Sequence, residues 1–349
     1  MQRNEWVSRI FPRGIPELWC PLITHFSAPA EPDGDRIAAL LGEIAPRVKG
    51  LLMPGSTGEG WDMSDRDALR LLETVLPVSR SLGQYLLIGA LKPTAAETVQ
   101  CIDATMRWLV EFAGVTDERE AMAKYGIAGF TVCPPRGGAL SQDEIRTGLE
   151  EILRRGLPLA IYQLPQVTGN RMSPETVAVL AETRGNFLLF KDTSGEDTVA
   201  RAPLDYRGVY FVRGAEGDYS RHPRTGGGAY DGFLLSTANA FSVELARILE
   251  LLRSTDGGGR DEADELSRRV GDCVERVFPP AGEIGAGNAF ANANKAFDHL
   301  RAWGPEAEER EPPMLYGGSR LPRELIAMAR AAMEHNGFDL SRGYLQQAR

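Results

Sequence analysis

Short apolar runs alternate with longer amphipathic stretches along most of this chain, and this alternation is the feature that most limits its fold. Eight runs of strand length occur between about residues 17 and 245, with helix-like segments between most of them. Repeated β-then-α units favour a parallel sheet, and eight of them over roughly 230 residues match a (β/α)8 barrel. An open doubly wound sheet is the alternative, but no Gly-x-Gly-x-x-Gly sequence opens a first βα turn. The sequence therefore predicts an α/β fold, a (β/α)8 TIM barrel. The eight runs are Glu17–Phe26, Val48–Met53, Tyr85–Leu91, Ile127–Cys133, Leu157–Leu164, Phe187–Phe190, Val209–Val212 and Tyr230–Leu235.

The segments on either side of this pattern differ from it. Residues 1–14 form a predicted N-terminal extension, and residues 15–245 form the predicted barrel. Strand signals stop at about residue 246, so residues 246–349 are predicted to be a C-terminal helical region. Within that region the acidic, proline-bearing segment 306–313 is predicted to be a surface linker.

Composition excludes several classes of protein. An apolar content of 43% and a charged content of 25% are ordinary for a globular protein with a large core. The net charge of −9 and the absence of a dense basic stripe argue against nucleic-acid or anionic-membrane partners. No run approaches the ~18 apolar residues of a membrane span, and the N-terminus lacks a signal-peptide pattern. The cysteines are too dispersed for a zinc site or a disulfide framework. These features predict a cytoplasmic protein with no metal.

One lysine stands at the end of an apolar strand. Lys191 closes the run Phe187–Phe190, which reads as a strand buried on both faces. The chain has only five lysines among its 39 basic residues. A desolvated lysine can lose its proton and act as a nucleophile, which an arginine cannot do. The alternative is a lysine that extends from the sheet into solvent.

Other polar groups are predicted to reach the same place, because the carboxyl ends of all barrel strands meet at one mouth. Tyr162 ends one strand, and the turn Gly55–Gly58 follows another with two hydroxyls and several N–H groups that could hold a carboxylate. The shared chemistry would be Schiff-base catalysis, in which a neutral lysine amine attacks a ketone. A tyrosine hydroxyl could transfer protons, and the turn would suit a 2-oxo acid.

These motifs resemble the dihydrodipicolinate synthase / N-acetylneuraminate lyase family of class I, pyruvate-type aldolases. The matching pieces occur in the family's order across about residues 15 to 340. They are Gly55-Ser56-Thr57-Gly58-Glu59, Thr131-Val132-Cys133-Pro134, Tyr162-Gln163-Leu164-Pro165, Lys191-Asp192-Thr193-Ser194-Gly195 and Gly232 through Asn239.

The resemblance implies a role for each matching residue. Lys191 would form the imine, Tyr162 would transfer protons and Ser56 would join that relay, so these three are the predicted catalytic residues. No cofactor is implied beyond the covalent imine, and the family's usual assembly implies a homo-oligomer, a tetramer or a dimer. The predicted substrate-binding residues are Gly55, Thr57, Thr193, Gly214, Glu216, Leu234, Ser236 and Arg136.

The chain also departs from the family. Val167 stands where dihydrodipicolinate synthases carry an arginine for the second substrate's carboxylate. Pro135 and Arg136 replace the aromatic pair that follows the family's proline, so the second tyrosine of the synthase relay is missing. Arg136 is either a ligand for an acidic group of a different substrate or a solvated surface arginine. The segment 108–125 is longer than the family norm and is predicted to extend an outer helix or loop.

The leading hypothesis is a carbon–carbon lyase that converts a 2-oxo acid reversibly into pyruvate and an aldehyde through an imine on Lys191. One alternative keeps the imine but eliminates or adds water, as a dehydratase or hydratase of a 2-oxo sugar acid. A second alternative is a barrel that only binds a 2-oxo acid. In the leading hypothesis the partners are two small molecules.

Overall fold

The computed structural model describes residues 1–254 and 259–346. Eight parallel strands form a barrel, and they are β1 (Leu18–Pro21), β4 (Gly50–Met53), β5 (Tyr85–Gly89), β6 (Ile127–Val132), β7 (Leu159–Gln163), β8 (Phe187–Asp192), β9 (Tyr210–Arg213) and β10 (Gly232–Leu234). Around the ring their order is β1-β10-β9-β8-β7-β6-β5-β4, and β1 pairs with β4 to close it. The predicted (β/α)8 barrel is therefore confirmed. A short hairpin of β2 (Phe26–Ala28) and β3 (Glu31–Pro32) follows β1.

Helices connect the strands and continue beyond them. Those up to residue 201 are α1 (Arg3–Ile10), α2 (Gly34–Ile44), α3 (Asp65–Ser81), α4 (Ala95–Ala113), α5 (Glu118–Tyr125), α6 (Gln142–Leu153), α7 (Pro165–Thr168), α8 (Pro174–Thr183) and α9 (Thr198–Arg201). Those after β10 are α10 (Ser242–Arg253), α11 (Gly259–Gly282), α12 (Ala289–Trp303) and α13 (Arg323–His335). The predicted region 246–349 also includes residues 255–258 and 347–349, which lie outside the described residues.

Local sequence explains where several helices begin. The hydroxyls of Ser64, Ser141 and Ser173 each accept a hydrogen bond from a backbone N–H in the first turn of α3, α6 and α8. This contact satisfies a donor that has no partner inside the helix. The long segment 108–125 contains the end of α4 and the whole of α5, as the sequence predicted.

The barrel strands are buried along their whole length in most cases, because helices cover the outside and side chains fill the inside. Gly50 in β4 shows how closely the interior is packed. A Cβ atom on Gly50 would lie 2.1 Å from the ring of Trp19, so only glycine leaves room for that indole.

The N-terminal extension closes the amino end of the barrel. Phe11 packs into an interior cluster with Trp19 and Leu189, and its ring meets the edge of Tyr85 at a centroid distance of 5.0 Å. Arg3 in α1 is buried and donates hydrogen bonds to backbone carbonyls, which are those of Phe187, Arg207, Ala181 and Arg184. The first residues are therefore part of the packed structure.

The C-terminal helices cover one side of the barrel near its carboxyl end. Asp298 in α12 is fully buried, and its carboxylate lies 3.0 Å from both the guanidinium of Arg36 and the imidazole of His25. The predicted surface linker 306–313 is partly wrong, since Ala307, Pro312 and Pro313 are buried. Apolar contacts with the helical region outweigh the acidic composition of this segment.

Two negative results apply to residues 1–254 and 259–346. None of their helices is both long and apolar enough to cross a membrane. No group of three or more histidine, cysteine, aspartate and glutamate side chains is placed to hold a metal ion.

Candidate active site

Lys191 and Tyr162 lie side by side at the carboxyl end of the barrel. They are paired in the parallel register of β7 and β8. The Lys191 Nζ atom lies 3.9 Å from the centre of the Tyr162 ring, and each residue is only 3% exposed. The lysine therefore does not extend into solvent, and the phenol lies within reach of any group bonded to the amine.

Burial changes the protonation of the Lys191 amine. Loss of hydration lowers its pKa from 10.5 to about 7, although the neighbouring Cys133, Glu216 and Cys20 act in the opposite direction. A lysine with a pKa near 7 has a large neutral fraction at neutral pH, and the neutral amine is the nucleophilic form. The strand's apolar residues thus provide the activation that Schiff-base chemistry requires.

Tyr162 is held in its neutral form. Burial raises the pKa of the phenol, and the neighbouring hydroxyls of Thr193 and Ser56 offset only part of that rise. A neutral phenol can donate its proton and recover it later, which suits proton transfer during imine formation. The three hydroxyl groups come from β7, from the end of β8 and from the turn after β4.

The turn after β4 offers free donors beside these groups. The N–H groups of Gly58, Glu59 and Gly60 are used within the turn itself. Those of Ser56 and Thr57 donate to no acceptor among residues 1–254 and 259–346. These two free amides belong to the turn whose Ser56 hydroxyl neighbours the Tyr162 phenol, and such a pair of donors can bind a carboxylate.

Residues far away in sequence hold this turn in place. Glu59 is buried and forms an ion pair with Lys295 of α12, which is also buried. The other carboxylate oxygen of Glu59 accepts from the N–H of Tyr316 at 2.9 Å, and Asn288 donates to the carbonyl of Ser56 at 2.9 Å. The C-terminal region therefore supports the turn directly.

Gly214, just after β9, leaves room for the lysine side chain. A Cβ atom on Gly214 would lie 2.6 Å from Cε of Lys191 and 2.4 Å from the hydroxyl oxygen of Thr193. Any larger residue would displace one of these side chains. The structure thus brings Gly214 and Thr193 to the amine, as the sequence predicted.

Glu216 and Ser236 meet, but they bond to each other. One Glu216 oxygen accepts from the Ser236 hydroxyl at 2.6 Å and from the N–H of Thr237 at 3.2 Å. The other accepts from the Thr237 hydroxyl at 2.7 Å and from the Tyr219 hydroxyl at 2.9 Å. Because a carboxylate has about four acceptor positions, these four donors satisfy it.

A buried arginine fixes the loop that carries this carboxylate. Arg213 donates to the carbonyls of Ala215 and Gly217, which flank Glu216 in the chain. Its Nε atom also donates to the carboxylate of Asp197 at 3.2 Å. The negative charge near Lys191 is therefore held at a fixed position.

The two remaining predicted residues have different positions. Arg136 is exposed, and its guanidinium lies 4.7 Å from the centre of the Trp61 ring. Leu234 packs its side chain into the interior cluster with Trp19 and Phe11, so this side chain belongs to the core and not to the mouth.

Sequence reasoning missed Trp61, Asn288 and Lys295. The indole N–H of Trp61 donates to the Ser56 hydroxyl at 3.0 Å, which places an aromatic side chain against the turn after β4. Trp61 follows the turn by only a few residues, so its position was a usable signal. Lys295 and Asn288 carry no such signal, because they lie more than 200 residues from the groups they contact.

Comparisons with known proteins show relatives of this sequence and of this fold. The sequence model of the dihydrodipicolinate synthetase family matches residues 115–281. A 4-hydroxy-tetrahydrodipicolinate synthase of Streptomyces coelicolor is 26% identical over 261 residues, which are 74% of this chain and 77% of that protein. Dihydrodipicolinate synthase from Aquifex aeolicus superposes with a TM-score of 0.69 at 17% identity, over 94% of this chain and 100% of its own.

A further similar structure is that of YagE, a prophage protein of the dihydrodipicolinic acid synthase family from E. coli K12, solved in complex with pyruvate. It superposes with a TM-score of 0.67 at 19% identity, over 91% of this chain and 97% of its own. At such identities the superpositions show the shared fold. Together with the family match, they show that the chain is similar in sequence to the dihydrodipicolinate synthetase family and shares its barrel fold.

Proposed function

We propose that this protein is a Schiff-base lyase that cleaves a 2-oxo acid reversibly to pyruvate and an aldehyde through an imine on Lys191. The observation that carries the proposal is the buried Lys191 amine, with its pKa lowered to about 7, beside the Tyr162 phenol. Pyruvate is the chosen 2-oxo acid because YagE was solved with pyruvate bound.

The reaction would begin at the neutral amine. The nitrogen of Lys191 attacks the ketone carbon to give a carbinolamine, which loses water to form the iminium ion. Tyr162 supplies the proton that leaves with the departing hydroxyl, and Ser56 hydrogen-bonds the phenol. The free N–H groups of Ser56 and Thr57 hold the substrate carboxylate.

Bond cleavage would follow in the iminium ion. The hydroxyl on the far carbon of the breaking carbon–carbon bond gives its proton to Tyr162, which donated its own in the preceding step, and the bonding electron pair moves toward the positive nitrogen. An aldehyde leaves, and an enamine remains on Lys191. Protonation of the enamine carbon and hydrolysis then release pyruvate and restore the amine. Glu216, held near Lys191, stabilises the positive charge of the iminium ion.

The proposal differs from lysine-biosynthetic condensation, because Val167 stands where that reaction would use an arginine. A dehydration on the same imine is a second possible reaction, and it yields no aldehyde. Product analysis therefore distinguishes cleavage from dehydration. The homo-oligomeric state and the cytoplasmic location stay predictions.

Borohydride trapping with a panel of 2-oxo acids tests the proposal. Borohydride reduces an imine to a stable secondary amine, so we expect a pyruvate-sized mass on the peptide that contains Lys191. We expect the trapping rate to rise with pH, to reach half of its maximum near pH 7 and to level off above that, because the neutral fraction of the amine follows this titration. No adduct with any 2-oxo acid would contradict the proposal and would favour a non-catalytic binding barrel.

Replacement of Tyr162 with phenylalanine separates proton transfer by the phenol from imine formation by Lys191. We expect Tyr162→Phe to lower turnover by about 10²–10⁴-fold, the usual contribution of a positioned proton donor. Imine trapping should remain detectable, because Lys191 keeps its buried position. Steady-state kinetics measures turnover, and borohydride trapping of the same variant measures imine formation. The control is Tyr125→Phe on the outer helix α5, and an unchanged rate in Tyr162→Phe would remove Tyr162 from the mechanism.

A further inference from the structure

One side of the barrel mouth is polar, and its side chains already form hydrogen bonds with one another. Glu216 accepts from Ser236, Thr237 and Tyr219, and these contacts use its acceptor positions and the three hydroxyl protons. A polyhydroxylated aldehyde bound there would have to break these hydrogen bonds. Binding would then gain little, because each new bond replaces one already made.

The opposite side of the mouth is apolar. Leu91, Cys133 and Leu164 form a buried cluster with Tyr162, and these residues lie at or just beyond the carboxyl ends of β5, β6 and β7. Trp61 and Val167 pack against the same cluster and are partly exposed. An apolar surface therefore lies beside the phenol that serves the imine.

We call this apolar surface the wall, and the loops that form it are joined to one another by hydrogen bonds. Asn170 donates to the carbonyls of Pro135 and Gly137, which joins the loop after β6 to the loop that carries Val167. The N–H of Arg136 donates to the carbonyl of Pro93 at 2.8 Å, which joins both to the loop after β5. The wall is thus held in place before a substrate binds.

Arg136 brings a positive charge near this wall, but on its outer side. Its guanidinium lies over the Trp61 ring, and the residue is exposed to water. An ion pair between exposed groups contributes little free energy, because water screens both charges. The apolar surface is therefore expected to dominate over Arg136 in selecting the second substrate.

We propose that the aldehyde partner is apolar in the part next to its carbonyl group, and that the partly exposed Trp61 and Val167 select it, supported from behind by the buried Leu91 and Leu164. The inference rests on the proposed function, since it concerns the second product of the same imine. A carboxylate or several hydroxyls placed against this wall would lose hydration without gaining a partner.

An aldehyde panel tests the inference. Pyruvate is condensed with isobutyraldehyde, with glyceraldehyde or with succinic semialdehyde, and kcat/KM is measured for each aldehyde. We expect kcat/KM for isobutyraldehyde to exceed each of the others by about tenfold or more. An equal or higher value for glyceraldehyde or succinic semialdehyde overturns the inference, and so does the absence of product from isobutyraldehyde.

Val167→Arg provides a second measurement that does not depend on how much enzyme is folded. The readout is the ratio of kcat/KM for isobutyraldehyde to that for succinic semialdehyde, in which enzyme concentration cancels. We expect this ratio to fall about tenfold or more, because a guanidinium then replaces part of the wall. An unchanged ratio overturns the assignment of Val167 to the wall. The matched control is Val179→Arg on the exposed face of α8, which should keep the wild-type ratio.

Imine trapping separates this inference from the proposed function. If borohydride traps pyruvate on Lys191 but polar aldehydes are preferred, only the choice of aldehyde is wrong. If no imine forms with any 2-oxo acid, the proposed function is wrong and the inference falls with it.

Discussion

Replacing Lys191 with methionine is expected to abolish both pyruvate trapping and turnover while making the folded protein more stable. Methionine has a similar length and no amine, so no imine can form at this position. The pKa of Lys191 is lowered by burial to about 7, which means that the fold disfavours the charged lysine. Removing that lysine removes the cost of burying it.

The sign and size of the stability change follow from linkage. Between pH 7 and 10.5 the unfolded chain binds a proton on Lys191 that the folded chain does not, so stability rises with pH in this window. The cost is fully present below about pH 7. At about 1.4 kcal/mol for each pH unit between the two pKa values, it is on the order of 3–5 kcal/mol.

Denaturant unfolding of wild type and Lys191→Met at pH 6.5 and at higher pH measures the effect. We expect the gain in the free energy of unfolding to be largest at the lower pH and to shrink as the pH approaches 10.5. Lys49→Met is the control, because Lys49 is exposed and lies outside the mouth. A loss of stability in Lys191→Met would contradict a buried, largely neutral lysine.

The second large effect is expected from Lys295→Met, which should lower the free energy of unfolding by about 3–5 kcal/mol. The substitution leaves the carboxylate of Glu59 buried without its ion-pair partner. Glu59 belongs to the turn that presents Ser56 and Thr57, so activity should fall as well. Denaturant unfolding and steady-state kinetics measure the two losses.

A double substitution tests whether the unpaired Glu59 carboxylate causes the loss of stability in Lys295→Met. In Glu59→Gln/Lys295→Met neither buried charge remains, so we expect a smaller loss of stability than in Lys295→Met alone. The control is Lys92→Met, which removes an exposed ion pair with Asp65 and should change stability by less than about 1 kcal/mol. If the double variant is no more stable than Lys295→Met, the unpaired charge is not the cause.

The barrel could be predicted because its signals are local. Each strand is a short apolar run, and Ser64, Ser141 and Ser173 mark helix starts within a few residues of the helices that they cap. Lys191 and Tyr162 could be placed together for the same reason. Once the barrel is assumed, both residues end strands, and strand ends meet at one mouth.

The features that the sequence did not predict depend on contacts between distant parts of the chain. Lys295 reads as an ordinary helical lysine until α12 is placed against the turn that contains Glu59. Glu216 and Ser236 both reach the mouth, but no pattern in the sequence reveals that they bond to each other. The segment 306–313 reads as a linker because composition does not report what packs over it.

The docking of α1 at the amino end of the barrel has a consequence for how the protein is made. One of the carbonyls that Arg3 contacts belongs to Arg207, which is 204 residues further along the chain. Contacts of such long sequence separation are slow to form, because a long loop must close first. α1 can therefore dock fully only after most of the barrel strands have been translated.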